Sequence, residues 1–142
     1  MILRDVDLIK GMSSQTVEAL IQVAQVESFQ RGDVVFKEGE AAECFYVLEE
    51  GAVELKVTGV EKTPFVAHDS GQVIGWSSLV GRGGYTATVH CILPTRLIKI
   101  PADKARGILE ANPADGLRFY RQLSAVLGSR LIFCYQELAR GG

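Results

Sequence analysis

Four hydroxyl side chains and one arginine lie close together in the segment from Gly75 to Thr88. They belong to Ser77, Ser78, Arg82, Thr86 and Thr88. Hydroxyl groups, together with backbone amides, could hold an anion or a polar small molecule. The same hydroxyls could equally cap a turn and line a strand, so the segment is a candidate binding site with a structural alternative.

The cysteines and histidines form no pattern typical of a metal site or a disulfide framework. Cys44, Cys91 and Cys134 are widely spaced, and His68 and His90 are isolated. Zinc sites and disulfide scaffolds need paired or clustered ligands, and no nucleophile lies at a recognisable spacing from a base. We therefore expect no metal, no cofactor and no enzyme activity.

The composition is that of one globular domain spanning residues 1–142. Apolar residues make up 47% of the chain and charged residues 23%, and the net charge of −2 differs from the strongly basic balance of a nucleic-acid-binding protein. No apolar run approaches the roughly 18 residues of a membrane span, and an acid lies where a signal peptide would have its apolar stretch. These features predict a cytoplasmic protein without membrane contact.

The periodicity of apolar residues changes twice along the chain. Val17, Leu20, Ile21 and Ala24 have helical spacing, after a cap at Ser13 or Ser14. Between about 26 and 100 the period is two, with glycines between the runs, which predicts short antiparallel strands in a rolled barrel. The clearest runs are 34–37, 44–48, 53–57, 87–91 and 96–100.

Two helices are predicted after the barrel, within about 101–139. The first holds Ala105, Ile108 and Leu109, and the second begins with Asn112 as cap and Pro113 at its first position. The long helix carries a narrow apolar stripe that packs partly on the barrel and predicts a dimer seam in its outer half. The stripe comprises Phe119, Leu123, Val126, Leu127, Leu131, Cys134 and Leu138, and all of these except Val126 are predicted members of the dimer seam. Cys134 could form a disulfide with its own copy, as a redox switch, or be a small apolar residue of the seam.

Several segments, in this order and spacing, resemble the cyclic nucleotide-binding domain family, as in the effector domain of the catabolite activator protein group. They are Gly-Asp-Val-Val-Phe-Lys-Glu-Gly at 32–39, Glu-Gly at 50–51, Gly-Gln-Val-Ile-Gly at 71–75, Tyr-Thr-Ala-Thr-Val at 85–89, Ile-Lys-Ile-Pro at 98–101 and Glu-Ala-Asn-Pro at 110–113. The resemblance implies a mainly β fold, an antiparallel β-roll or jelly-roll-like double-stranded β-helix. It also implies an N-terminal helix, two C-terminal helices and a phosphate-binding cassette at Gly75 to Thr88.

The cassette departs from the family pattern at its two charged positions. The family places a glutamate on the ribose hydroxyl and an arginine on the cyclic phosphate, and an alignment without gaps puts Trp76 and Tyr85 there. A phenol is a single neutral donor, so we expect cyclic AMP or cyclic GMP to bind about tens to thousands of times more weakly than in the family. Arg82 could replace the missing arginine or be solvated, and Trp76 could stack on a ligand or plug the pocket.

Two functions therefore compete. The first is a sensor domain for a small-molecule or nucleotide-like ligand other than the usual cyclic nucleotides, which signals by movement of its last helices in a homodimer. The second is a ligand-free dimerisation or protein-interaction module of the same fold. Only the first predicts a gain in stability on ligand binding. A helix-turn-helix is absent from the sequence, so we expect no DNA-binding domain in this chain.

Overall fold

A computed structural model describes residues 3–60 and 65–141. Within them, a 3₁₀ turn at Leu3–Asp5 precedes three α-helices and eight strands. The helices are α1 (Ser14–Val23), α2 (Ala102–Ala111) and α3 (Pro113–Ala139). The strands are β1 (Gln25–Phe29), β2 (Val34–Phe36), β3 (Cys44–Glu50), β4 (Val53–Lys56), β5 (Phe65–Ala67), β6 (Val73–Ile74), β7 (Thr88–Cys91) and β8 (Thr95–Pro101). A second 3₁₀ turn, Trp76–Leu79, follows β6 and is called the cassette turn below.

The strands form two antiparallel four-stranded sheets, in the orders β1-β8-β3-β6 and β2-β7-β4-β5. The predicted fold class, a β-roll with one N-terminal and two C-terminal helices, is confirmed. The five predicted runs correspond to β2, β3, β4, β7 and β8. Strands β1, β5 and β6 are not among the predicted runs, and β6 has only two residues, too few for an alternating pattern to be recognised.

Alternation along β3 places apolar side chains on both faces of the first sheet. Phe45 and Val47 point to a helix-side cluster, whereas Tyr46 and Leu48 point into the roll. The helix-side cluster joins this sheet to all three helices, through residues such as Val17, Leu20, Ile98, Ile100, Leu109, Phe119 and Leu123. The roll cluster lies between the two sheets and contains Phe36, Tyr46, Leu48, Ile74, Tyr85, Val89 and Leu97. Both faces of this sheet are therefore buried.

The helices begin close to their predicted positions. Ser13 is the N-cap of α1, and its hydroxyl accepts a hydrogen bond from the Thr16 amide at 3.4 Å. The predicted capping of α3 by Asn112 is wrong for the side chain, which makes no cap hydrogen bond. Its Nδ2 instead donates to the Ile108 carbonyl at 2.9 Å. Asn112 thus satisfies a carbonyl at the end of α2, because the two helices follow each other without a linker.

A carboxylate in the first turn of α3 joins α3 to the start of α1. Asp115 accepts hydrogen bonds from the Ser13 amide at 3.1 Å, the Ser13 hydroxyl at 2.6 Å and the Thr16 hydroxyl at 2.5 Å. These hydrogen bonds from Ser13 and Thr16 lower the pKa of Asp115 below its ordinary value. The ionised carboxylate is therefore the form that holds the two helices together.

Replacement of Asp115 by asparagine should destabilise the chain at pH 7, and the difference from the native chain should shrink in acid. Because the pKa of Asp115 is lowered in the folded state, its stabilisation is complete at any pH above the ordinary pKa of an aspartate, about 4. The stabilisation is lost as the pH falls below about 4 and through the folded-state pKa. Urea unfolding at a series of pH values measures this. Glu110→Gln, which removes an exposed carboxylate of α2, is the matched control. An Asp115→Asn difference that does not change with pH would contradict the assignment.

Candidate ligand-binding cassette

The cassette turn begins at a glycine in the left-handed region of backbone conformation. Gly75 has φ +78°, and a Cβ there would lie 3.0 Å from the Cys44 carbonyl oxygen and 3.3 Å from the Tyr85 ring. No other residue would fit without a shift of these neighbours. The amide and hydroxyl of Ser78 both donate to the Gly75 carbonyl, at 3.2 and 2.9 Å. The Ser78 hydroxyl thus closes the turn, which is the structural role considered for it.

The glycine-rich loop after the turn is joined to the loop between β2 and β3 by backbone hydrogen bonds. The Ala42 amide donates to the Gly83 carbonyl at 3.1 Å, and the Tyr85 amide to the Glu40 carbonyl at 2.9 Å. The Gly39 amide in turn donates to the Tyr85 carbonyl at 2.9 Å. The backbone on both sides of Tyr85 is therefore fixed.

The Tyr85 side chain lies inside the roll, at the position where the resemblance places the phosphate-binding arginine. Its ring stacks on Phe36 with a centroid distance of 3.7 Å, and Phe36 stacks on Tyr46 at 5.9 Å. Its hydroxyl donates to the Cys44 carbonyl at 2.6 Å and accepts from the Cys44 amide at 3.3 Å. Burial raises the pKa of this phenol, so it is neutral at physiological pH. Three aromatic rings thus fill the roll beside the cassette.

Trp76 lies outside the roll. It is half-buried and packs against the helix-side cluster, not against the roll cluster that contains Tyr85. Its stacking on a ligand stays a prediction. Ile74 points into the roll, but the left-handed Gly75 interrupts the alternation of the strand before position 76. Tyr85 is the aromatic residue that occupies the pocket position.

The remaining predicted site residues differ in exposure, and the Arg82 amide donates to the Ser77 carbonyl at 3.3 Å. Ser77 is buried, whereas Arg82 and Thr86 are exposed. The Thr88 hydroxyl accepts a hydrogen bond from the Glu38 amide at 2.9 Å, so it joins β7 to the loop between β2 and β3. The substitution of Arg82 for the missing arginine would require movement of the loop that holds it.

One contact of the cassette was not identified from the sequence. Arg106 on α2 donates from Nη1 to the Ser78 carbonyl at 3.1 Å, and its Nη2 pairs with Asp103. The spacing of Asp103 and Arg106 is typical of an ordinary helical ion pair, so nothing in the sequence distinguishes this arginine. The contact ties the cassette turn to the helix that leads into α3.

The structure corrects the predicted dimer seam on α3. Phe119 and Leu123 lie in the helix-side cluster and are buried against the chain's own sheet, so they are not available to a second copy. Leu127 is partly buried on the same cluster. Leu131 and Leu138 are exposed, by 50% and 74%, and Cys134 is exposed as well. The stripe therefore divides into an inner half on the roll and an outer half in solvent.

The family profile described as cyclic nucleotide-binding domain matches residues 26–112, which include both sheets, the cassette and α2. The chain belongs to this family. Its matched segment contains Tyr85 and the whole cassette turn.

Known proteins similar to this cyclic nucleotide-binding domain include regulatory and channel proteins. A Rhodopseudomonas palustris protein, described provisionally as a potassium channel, is 27% identical over 109 residues, or 77% of this chain and 26% of its own length. The cAMP-dependent protein kinase regulatory subunit of Debaryomyces hansenii is 35% identical over 57 residues, 40% of this chain and 13% of its own. This chain thus spans about a quarter or less of these relatives.

A solved structure supports the fold assignment. The crystal structure of a Geobacter metallireducens protein, described provisionally as cyclic nucleotide-binding, superposes with a TM-score of 0.80 at 26% identity. The match covers 91% of this chain and 95% of that one. The likeness therefore extends beyond the roll to most of the flanking helices.

The described part of the chain contains neither a cluster of metal ligands nor a membrane-spanning helix. In residues 3–60 and 65–141, no three histidine, cysteine, aspartate or glutamate side chains are grouped so that they could hold a metal ion. None of the helices in these residues is long and apolar enough to cross a membrane.

Proposed function

We propose that this chain is a regulatory domain whose family pocket is closed to cyclic AMP and cyclic GMP and whose output passes through α3. The observation that carries the proposal is Tyr85, whose ring stacks on Phe36 inside the roll and whose hydroxyl is bonded to the Cys44 backbone. A nucleotide in the family's position would have to displace this ring and break both hydrogen bonds. It would then meet no buried cation at position 85 for its phosphate.

The test is a thermal-shift titration with cyclic AMP and cyclic GMP, on the native chain and on Tyr85→Arg and Tyr85→Arg/Trp76→Glu variants. A ligand at about 100 times its dissociation constant adds about 2.7 kcal/mol of stability, a shift of several degrees. We expect no shift of the native chain at about millimolar nucleotide, and a shift of at least one variant. The Tyr85→Arg variant is included because it keeps Trp76, which packs on the helices and whose replacement could destabilise the fold.

A shift of the native chain at micromolar cyclic nucleotide would overturn the proposal. The same titration would then be repeated with an Arg82→Ala variant, because Arg82 is the arginine of the cassette segment. If that variant loses the shift, the exposed loop supplies the cation. If it retains the shift, the backbone amides hold the phosphate.

The second part of the proposal is that two copies pair through α3, along a seam that differs from the sequence prediction. The exposed face of α3 follows a repeat of alternating four- and three-residue steps, as in a two-stranded coiled coil. Its members are Leu117, Arg121, Ser124, Gly128, Leu131, Tyr135 and Leu138. Leu131, Tyr135 and Leu138 are 50–74% exposed, and small residues precede them at 124 and 128. Cys134 flanks this repeat, so we expect no disulfide with its own copy.

The second candidate is a ligand-free dimerisation or protein-interaction module, which the filled roll favours directly. This module and the regulatory domain proposed first share the α3 seam, but the module binds no ligand. A ligand-dependent gain in stability would therefore distinguish the two functions. Both are regulatory rather than catalytic functions. The cytoplasmic location expected from the sequence is part of the same proposal.

A further inference from the structure

The exposed repeat on α3 contains a glycine that the single chain does not require. Gly128 lies inside α3, and a Cβ there would meet nothing within 4 Å. A glycine inside an exposed helix is destabilising relative to alanine, so its presence is explained if another helix approaches closely there. The hydroxyl of Ser124, the preceding member of the repeat, donates to the Tyr120 carbonyl of the same helix at 2.8 Å. Both positions therefore leave room on the surface of α3.

The large apolar side chains of the repeat follow these two small residues. Leu131, Tyr135 and Leu138 are 50%, 59% and 74% exposed. Arg121 precedes the small residues, is exposed and forms no ion pair within the described part of the chain. From position 121 onward, the repeat thus runs from a charge through small residues to large apolar ones.

A parallel pair of α3 helices would match this order poorly. Each residue of the repeat would face its own copy, because the two-fold axis would run along the pair. Arg121 would then face Arg121 of the second copy without a carboxylate to neutralise either group, and neighbouring like charges are destabilising. Small residues would face small residues at positions 124 and 128, which leaves two layers of the seam unfilled.

We propose that the two copies pair along α3 in the antiparallel sense, with the two-fold axis crossing between positions 129 and 130. Each large side chain of the repeat then faces a small residue or the methylene groups of an arginine on the other copy. The facing pairs are Leu131 with Gly128, Tyr135 with Ser124, and Leu138 with Arg121. The two Arg121 groups lie at opposite ends of the pair. This inference rests on the α3 pairing proposed above and adds the direction of the two helices.

The antiparallel arrangement also separates the two rolls. Phe119 and Leu123 hold the first half of α3 on its own roll, on the side of the helix away from the repeat. In an antiparallel pair the first halves of the two helices lie at opposite ends. A parallel pair would instead place the two rolls side by side along the same stretch of helix.

Disulfide trapping between introduced cysteines distinguishes the two directions. The proteins are full chains that carry Cys134→Ser together with either Arg121→Cys or Leu138→Cys, and they are oxidised separately and as a mixture. In the antiparallel pair position 121 faces position 138, whereas like positions are 17 residues apart along the helix, or about 25 Å. A disulfide needs Cα atoms within about 7 Å of each other. We therefore expect crosslinked dimer from the mixture, at least about tenfold more than from either variant alone.

The Cys134→Ser chain without an introduced cysteine is the control for this trapping. It retains only Cys44, which is half-buried, and Cys91, which is buried, so it should give no crosslinked dimer.

A Gly128→Leu variant tests the same register without oxidation. In the antiparallel pair it places two large side chains in each of the layers at Leu131, so the dissociation constant of the dimer should rise at least about tenfold. In a parallel pair it would fill an empty layer and lower that constant. Ser129→Leu, at an exposed position outside the repeat, is the control and should leave the constant unchanged. Analytical ultracentrifugation measures the dissociation constants.

The outcomes separate the direction of pairing from pairing itself. A disulfide within either cysteine variant alone, or a dimer tightened by Gly128→Leu, would overturn the antiparallel direction and leave the α3 pairing intact. A mixture that gives no crosslink, although light scattering shows it to be dimeric, would also overturn this inference. A native chain that is monomeric at about 50 µM would overturn the pairing as well, and with it the second part of the proposed function.

Discussion

Replacement of Tyr85 by alanine should lower the free energy of unfolding by about 3–5 kcal/mol, as for other large aromatic residues removed from a core. The ring is 7% exposed and stacks on Phe36, so its removal leaves a cavity between the two sheets. The Cys44 amide and carbonyl would also lose their side-chain partner. Urea unfolding at pH 7 measures the effect.

Tyr85→Phe is the matched control, because it keeps the ring and removes only the hydroxyl. We expect it to lose about 1–3 kcal/mol, the cost of leaving buried polar groups of Cys44 unpaired. If Tyr85→Ala were as stable as the native chain, the ring could not be an integral part of the roll. The pocket would then be open or easily opened, and the proposed closure would be wrong.

A Leu131→Asp/Tyr135→Asp variant should be monomeric at protein concentrations at which the native chain is a dimer. Each side chain is at least half exposed in the single chain, so pairing along α3 would bury both in each copy. Burial of a large apolar side chain is worth about 1.5–3 kcal/mol, and about 1.4 kcal/mol changes a dissociation constant tenfold. We therefore expect dimer dissociation to be favoured by at least about 100-fold. Light scattering coupled to size exclusion measures the mass.

Gln136→Asp is the control on the same helix, because position 136 is exposed but lies outside the repeat. Cys134→Ser, tested with and without reductant, separates the seam from a disulfide. Neither change should alter the mass. A native chain that is monomeric at about 50 µM would contradict the pairing of α3.

Periodicity predicted the long elements of this fold well. Helix α3 runs from Pro113 to Ala139 as expected, because its proline start and helical spacing are local signals. The stripe on α3 and its division between the barrel and a second copy were predicted, but Phe119 and Leu123 were wrongly included in the dimer seam. Phe119 and Leu123 face the roll because the first half of α3 packs on the first sheet. This packing joins segments that are distant in the sequence, so no local pattern predicts it.

The candidate site could be predicted only in part. The turn at Gly75 and the aromatic residues at 76 and 85 were found from the sequence. The directions in which the two aromatic side chains point were not predicted. Phe36 and Tyr85 are 49 positions apart in the chain, so a stack between them follows from the closed roll and not from either segment. Arg106 was missed for the same reason: the Ser78 carbonyl to which it donates lies 28 positions away.

Residues early in the sequence pair with residues late in it, and this affects the order in which the elements can fold. Strand β1 pairs with β8, and Ser13 bonds Asp115 across 102 positions. When the ribosome has produced only the first half, β1 has no neighbour in its sheet and α1 lacks its contact with α3. Because such non-local pairing slows folding, the roll should close only after β8 and the start of α3 have been synthesised. Until β8 pairs with β3, that edge of β3 is exposed to other chains, so the emergence of β8 sets the time at which this exposure ends.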